Sequence, residues 1–291
     1  ATLWARGVEL FRDAPTWVPY ELVHTNFSLP LPAGSGTFLM SSNGLASGNH
    51  RLEAISHGLC ELIERDCMAL FAANGGVTQH GRRLDLASVD DPDGCRVIAQ
   101  LQAADLSVGL WDVTSDVGLA AFACVIVDRT PNVFRQLYYA TGSGCHPLRR
   151  VALTRALTEA AQCRLTYIAG ARDDADRDFF ERARDPERVQ RMRRIVDDTS
   201  APGRPYSHVP DRSHERLEDD VSWELACLER AGLREVVVVD LSKPELDIPV
   251  VRVIVPGLES LQGAPGYTPG RRAQAAPLQL PRTDGGVGGV A

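Results

Sequence analysis

From about Arg51 to Ala73 the chain carries a long helical pattern, and any fold it adopts must bury one side of it. With residues placed about 100° apart and Glu53 set at zero, Glu64 falls at about 20° and Glu61 at about 80°. Leu52, Ile55, Leu59, Leu62, Ile63 and Leu70 gather between about 180° and 280°. Three carboxylates therefore share the side opposite an apolar stripe, with Arg65 beside them. A solvated acidic face is the ordinary explanation for such a pattern. Two features weigh against it. Glu61 and Glu64 at i,i+3 repel each other, so helix stability alone does not ask for both. The entry "SNGLASGN" also supplies glycine-permitted turns and N–H groups at a helix start, where anions bind. Carboxylates next to such a turn suit Mg²⁺ bridging phosphates, because Mg²⁺ prefers oxygen ligands and retains water. Both explanations stay open at this point.

A second helix, over about residues 147–170, repeats the arrangement. With Glu159 at zero, Arg155 lies at about 320° and Gln162 at about 300°, while Leu153, Leu157 and Leu165 sit between about 120° and 240°. Arg155 and Glu159 at i,i+4 suit a plain helix salt bridge. They equally suit a site in which Arg155 neutralises phosphate while Glu159 and Gln162 offer oxygen atoms. The preceding "TGSGCH" could approach a ligand closely, although a single GSG is a weak signal.

Elsewhere strands and helices interleave. Extended pieces are expected at 17–23 and 36–42, and strands at about 105–113, 119–128, 235–241 and 249–255. A further strand should end in the Gly/Ser loop before Cys145. Helices are expected at about 95–104, 176–196 and 221–231. The strand pairs 105–113/119–128 and 235–241/249–255 are close enough in sequence to be neighbours. That favours a mixed α/β or α+β fold over a doubly wound parallel sheet.

The formal charge of −7 argues against general binding of nucleic acid or an anionic membrane. No apolar run approaches the roughly 20 residues of a bilayer span, and the start lacks a signal-peptide pattern. Seven cysteines are scattered without any CxxC pair, which suits thiols in a reducing cytoplasm better than a disulfide scaffold or structural zinc. The sequence contains neither GxxxxGK[ST] nor a strand-turn GxGxxG, so no Walker or dinucleotide site is offered. Cys145 and His146 are neighbours in sequence, which is no sign of a catalytic dyad, and GxSxG and HExxH are absent.

"SSNGLASGNHRLEAISHGLCELIERDCMALF" closely resembles the signature of the YcaO family: an SNG-x-A-x-G turn, then E-A, then E-x-x-E-R-D. "ALTRALTEAAQCRLTYIAGARDD", "DVTSDVGLAAFACVIVD" and "DLSKPELDIPVVRVIVPGLE" resemble other parts of that family, so the likeness runs from about residue 3 to residue 272. It implies a YcaO-type fold, mixed sheets flanked by helices, with an ATP site that lacks a P-loop. It implies ATP and Mg²⁺ as cofactors and a peptide as substrate. The expected activity is activation of backbone amides by O-phosphorylation, leading to azolines, thioamides or amidines. By the same resemblance Asn49, Glu53, Glu61, Glu64 and Arg65 form the nucleotide and magnesium helix. Glu53, Glu61 and Glu64 are then expected at the metal and Arg65 at phosphate. Arg155, Glu159 and Gln162 fall in the second signature.

One departure stands out. The family's earlier GKG-x-T stretch, with its own E-x-x-E helix, has no counterpart here. The expectation is therefore the later portion of a YcaO domain over residues 1–272, with a flexible tail over 273–291. A TfuA-like or leader-binding partner and a homodimer are the assemblies the resemblance admits. The alternatives are a non-catalytic module that binds peptide or partner, and a metal-dependent hydrolase acting without ATP.

Overall fold

The computed structural model describes residues 3–26, 28, 36–38, 40–130, 139–170, 185–260 and 267–275. Among these described residues the regular structure comprises eight strands in two sheets, six α-helices and five short 3₁₀ helices. The first sheet has the order β2-β1-β7-β8-β3, from Ala14–Pro19, Trp4–Glu9, Val237–Asp240, Val250–Ile254 and Leu45–Ser47. The second has the order β4-β5-β6, from Leu106–Asp112, Ala120–Asp128 and Ala140–His146. This is the mixed helix-and-strand architecture expected, and every pair of neighbouring strands is antiparallel. The pairs expected to be adjacent are adjacent: β4 with β5 and β7 with β8.

Helix α1, Arg51–Ala73, packs against β3 and β8 of the first sheet and β5 and β6 of the second. It is consequently buried along most of its circumference. Strand β5 explains how the two cores are divided. Ala121, Ala123, Val125 and Val127 face the core around α1, with Leu59, Ile63, Val251 and Val253. Ala120, Phe122, Cys124 and Ile126 face a second core under helix α3, Arg149–Ala169, with Leu153, Ala156 and Leu157. A strand buried on both faces reads as a continuous apolar run, which is why "LAAFACVIVD" lacks alternation.

Helix α2, Pro92–Ala103, lies beside α3. It begins three residues before the expected 95, because Asp91 accepts a hydrogen bond from Gly94 N at 2.7 Å and Pro92 occupies the first turn. Helix α4, Pro186–Asp197, has the same device, an Asp185 cap followed by proline. The earlier part of the helix expected over 176–196 lies largely outside the described residues. Helix α5 spans Leu217–Arg230, starting before the expected 221, and a short helix α6 spans Arg271–Gln274.

The N-terminal region departs most from expectation. Its hairpin is β1–β2, turning through Asp13 at φ 49°. Of the extended piece expected over 17–23 only 17–19 is strand, because Pro19 removes a ladder donor and Tyr20–Leu22 turns as a 3₁₀ helix. The described residues of 36–42 are not in a strand. At the other end Ala273 N–H donates to Glu259 at 2.9 Å, so the held part reaches past the expected boundary at 272. Residues 276–291 of the expected tail lie outside the described residues.

Candidate functional site

Two glycines set the depth of α1. Gly44, at φ 78°, and Gly58 lie where an added Cβ would meet Val253, so helix and sheet approach closely. The SNG turn thereby delivers Gly44 N–H to Glu61 Oε2 at 2.9 Å. Part of the turn's donor supply is thus spent on the helix's own carboxylates. Asn49 N–H likewise donates to Glu53 Oε2 at 2.8 Å, and the Asn49 amide lies 3.2 Å from the same oxygen. The His50 ring accepts from Leu52 N–H as the N-cap.

From behind, α1 is held by a buried acid. Glu224 of α5, fully buried, accepts from the Ser56 hydroxyl at 2.6 Å and lies 3.4 Å from Cys60 Sγ. Among the described residues no ion pair reaches it, and burial pushes its carboxyl well above the usual range.

The glycines of "TGSGCH" serve packing. A Cβ at Gly142 or Gly144 would run into the backbone of α3, at Ala156 and Ala160 or at Ala152 and Ala156. The strand therefore lies directly on the helix backbone. This brings Ser143 against Glu159, which accepts hydrogen bonds from the Ser143 backbone N–H and hydroxyl. The same hydroxyl lies 2.7 Å from Glu64 Oε1.

Between α1 and α3 the result is an open cleft of about 320 Å³, lined by His57, Glu61, Glu64, Arg65, Ser143, Arg155, Thr158, Glu159 and Gln162. Six of the eight expected site residues meet there: Glu61, Glu64, Arg65, Arg155, Glu159 and Gln162. Asn49 and Glu53 do not line it. Glu53 is eight residues before Glu61, a rise of about 12 Å along a helix, and is bonded to Asn49. Arg155 and Glu159 do not form the simple helix salt bridge, since Arg155 Nη1 donates to Cys145 O at 3.2 Å while Glu159 turns to Ser143.

Ser143, His57 and Thr158 were not expected. His57 and Thr158 stand one turn from Glu61 and Arg155, so their helical spacing carried the signal. Ser143 did not, because its position depends on a strand-to-helix contact between distant segments.

The cleft concentrates negative charge under partial cover. Arg65 lies 3.0 Å from Glu64 and 3.5 Å from Glu61. Burial raises the Glu64 carboxyl above its usual range; Arg65 and the Ser143 hydroxyl oppose this, while Glu159 and Glu61 add to it. Ser143 has one hydroxyl proton for two carboxylates, and the other donors are Arg65 to Glu64 and the Ser143 backbone N–H to Glu159. His146, beside Arg155, is held neutral, its pKa lowered to about 4 by burial and by that guanidinium.

The oxygen-rich donor set of Glu61, Glu64, Glu159, Gln162 and Ser143 suits Mg²⁺. Among the described residues no three His, Cys, Asp or Glu side chains converge closely enough to hold a metal ion by themselves.

Just outside the cleft Asp66, fully buried, is gripped by Arg272 through two contacts of 2.8 Å, and Arg272 also reaches Asp116 at 2.6 Å. Glu259 ties down the same segment by accepting from Tyr267 OH at 2.8 Å and Gly270 N–H at 2.9 Å.

Comparison with known proteins places this arrangement. The family model described as YcaO cyclodehydratase, ATP- and Mg²⁺-binding, matches residues 1–259. A protein of Rhizobium leguminosarum bv. trifolii, named for the tfuA 3′ region, is 36% identical over 263 residues, covering 88% of this chain and 60% of that protein. A protein of Methanothermobacter thermautotrophicus is 36% identical over 274 residues, covering 94% of this chain and 69% of the relative. The chain thus spans roughly three-fifths to two-thirds of the length of these relatives. Among solved structures, a heterocyclase in complex with substrate and cofactor aligns with TM-score 0.73 at 27% identity, over 88% of this chain and 33% of that one. YcaO from Methanopyrus kandleri bound with AMPPCP and Mg²⁺ aligns with TM-score 0.69 at 25% identity, over 88% and 64%. Matched over nearly its whole described length by the family's own model, the chain belongs to the YcaO family.

Proposed function

We propose that this chain carries the ATP- and Mg²⁺-handling cleft of an enzyme that activates peptide backbone amides. A nucleophile adds to the amide carbonyl, and the carbonyl oxygen then takes the γ-phosphoryl group of ATP with departure of ADP. Loss of inorganic phosphate leaves an azoline, a thioamide or an amidine, according to whether the nucleophile is a Cys, Ser or Thr side chain, a sulfide or an amine. An amide oxygen is a poor leaving group, and phosphorylation makes it a good one.

One observation carries this reading: Glu61, Glu64 and Arg65 of α1 face Arg155, Glu159 and Gln162 of α3 across Ser143. Glu61 and Glu64, with Glu159 opposite, would hold Mg²⁺ only together with phosphate oxygens and water, and the ion when bound neutralises charge on the phosphates. Arg65 and Arg155 offer guanidinium groups to phosphate oxygens, and Gln162 offers an amide for orientation. Asn49 and Glu53 stand apart from the cleft and are assigned to the nucleotide and metal through the family resemblance. A peptide is the substrate. A TfuA-type protein is the assigned partner, supported by the gene neighbourhood in the name of the Rhizobium relative. Reducing, cytoplasmic surroundings suit the cysteines, none of which is joined in a disulfide. No helix among the described residues is long and apolar enough to cross a membrane.

The test is Mg²⁺-dependent ATP consumption by the full-length protein with its cognate peptide. Glu64→Gln and Arg155→Ala are each expected to lower turnover by about 100-fold or more. Normal turnover in both variants would refute the site. No measurable nucleotide binding, together with no turnover, would instead favour a non-catalytic module that binds peptide or a partner.

A further inference from the structure

A second pocket lies on the other side of α1, between the SNG turn and strand β8. It has a volume of about 130 Å³ and is lined by Ser41, Asn43, Leu62, Arg252, Glu259 and Ser260, among others. Its floor contains Arg252, only 4% exposed. The guanidinium makes one hydrogen bond, from Nη2 to Ser41 O at 2.8 Å, while Nε and Nη1 are buried without a partner. A buried guanidinium with two unused nitrogens is costly, because its lost hydration is not replaced.

The neighbouring carboxylates do not fill the need. Glu259 is engaged by Tyr267 OH, Gly270 N–H and Ala273 N–H. Glu61 is engaged by Gly44 N–H and Arg65, and it forms no ion pair with Arg252. The remaining polar groups add donors: the Ser41 and Ser260 hydroxyls and the Asn43 amide, whose contact to Ser260 is a long 3.4 Å. Burial lowers the Arg252 pKa and Glu61 opposes this, so the group remains a cation.

From this surplus of donors around an unpaired buried cation, we infer that the pocket of Ser41, Asn43, Arg252 and Ser260 is a binding site for a small oxyanion, a carboxylate or phosphate group. The pocket has room for one such group and not for a nucleotide. It shares no lining residue with the α1–α3 cleft. It therefore stands whether or not that cleft binds ATP. Its occupant comes either from solution as a free anion or from the substrate, as a peptide carboxylate.

The experiment titrates inorganic phosphate and, separately, acetate into the full-length protein. It follows the thermal midpoint and the Arg252 Nε–H resonance. A saturable stabilisation by at least one anion, with movement of that resonance, is expected in the unsubstituted protein. Arg252→Gln and the milder Asn43→Ala should weaken the apparent affinity by about tenfold, and Glu64→Gln should leave it within about twofold. A phosphate response points to a free anion and an acetate response to a peptide carboxylate; either supports the site. No response in the unsubstituted protein overturns it, as does an equal response in Arg252→Gln and Asn43→Ala. A response lost in Glu64→Gln alone places the anion in the α1–α3 cleft and also overturns it. Should Arg252→Gln not fold, Asn43→Ala and the Arg252 resonance decide.

Discussion

Glu64 shows how one side chain is set against its own fold. Burial and the neighbouring Glu159 and Glu61 make its charged form unfavourable, so its folded pKa lies above the ordinary 4.5. Its contribution to stability is fully present below that ordinary value and is lost as pH rises through the folded value. Glu64→Gln is therefore expected to unfold at the same or a higher temperature at about pH 8, with the difference vanishing at about pH 4, while turnover collapses. Thermal unfolding at both pH values, set beside ATP consumption, checks this. Glu224 obeys the same sign with a different consequence, since it faces no cleft. Glu224→Gln should be tolerated at neutral pH. Glu224→Ala should cost roughly 2–4 kcal/mol in chemical denaturation by leaving a cavity and two donors unpaired. The charged residues of the cleft were legible because helical spacing set them on one side of each helix. Glu224 was not, since its partners Ser56 and Cys60 are 168 and 164 residues away.

At the scale of elements the decisive contact is the seam between β6 and α3. Gly142→Ala or Gly144→Ala would drive a methyl group into the helix backbone. Each should destabilise by about 1–3 kcal/mol and lower activity, because α3 must lift away from α1. Gly170→Ala, at the left-handed end of α3 with nothing near its added Cβ, should cost only about 1 kcal/mol and spare activity. Urea denaturation and turnover together separate the two cases. Helix α1 was readable because its apolar stripe runs unbroken from Leu52 to Leu70 behind a polar entry. The starts of α2 and α4 depend on Asp-Pro caps, a cue that periodicity alone overlooks. The N-terminal hairpin was illegible for another reason: β1 pairs with β7, more than two hundred residues away, and only its partner β2 lies at the sheet edge.

Across the whole molecule, α1 is a shared beam. Sheets lie on two of its sides, Glu224 is behind it, the cleft is in front, and its far end is fastened by Arg272 to the C-terminal segment. Arg272→Ala leaves Asp66 buried without its cation and should destabilise by about 3–5 kcal/mol. Asp66→Asn with Arg272→Met should recover much of that loss, which a double-mutant cycle in guanidinium chloride would measure. The pairing of β4 with β5 and of β7 with β8 followed from their closeness in sequence, but the role of α1 between the sheets did not, because its polar positions suit a solvent face equally well. The β6–α3 seam has one more implication. Backbone lies on backbone there, so registration of the helix does not depend on the side chains it turns toward the cleft. Thr158 and Gln162 can be exchanged without repacking either core. A library randomised at those two positions should yield mostly folded proteins with altered ligand preference, making this face of α3 a place where specificity can drift while architecture stays fixed.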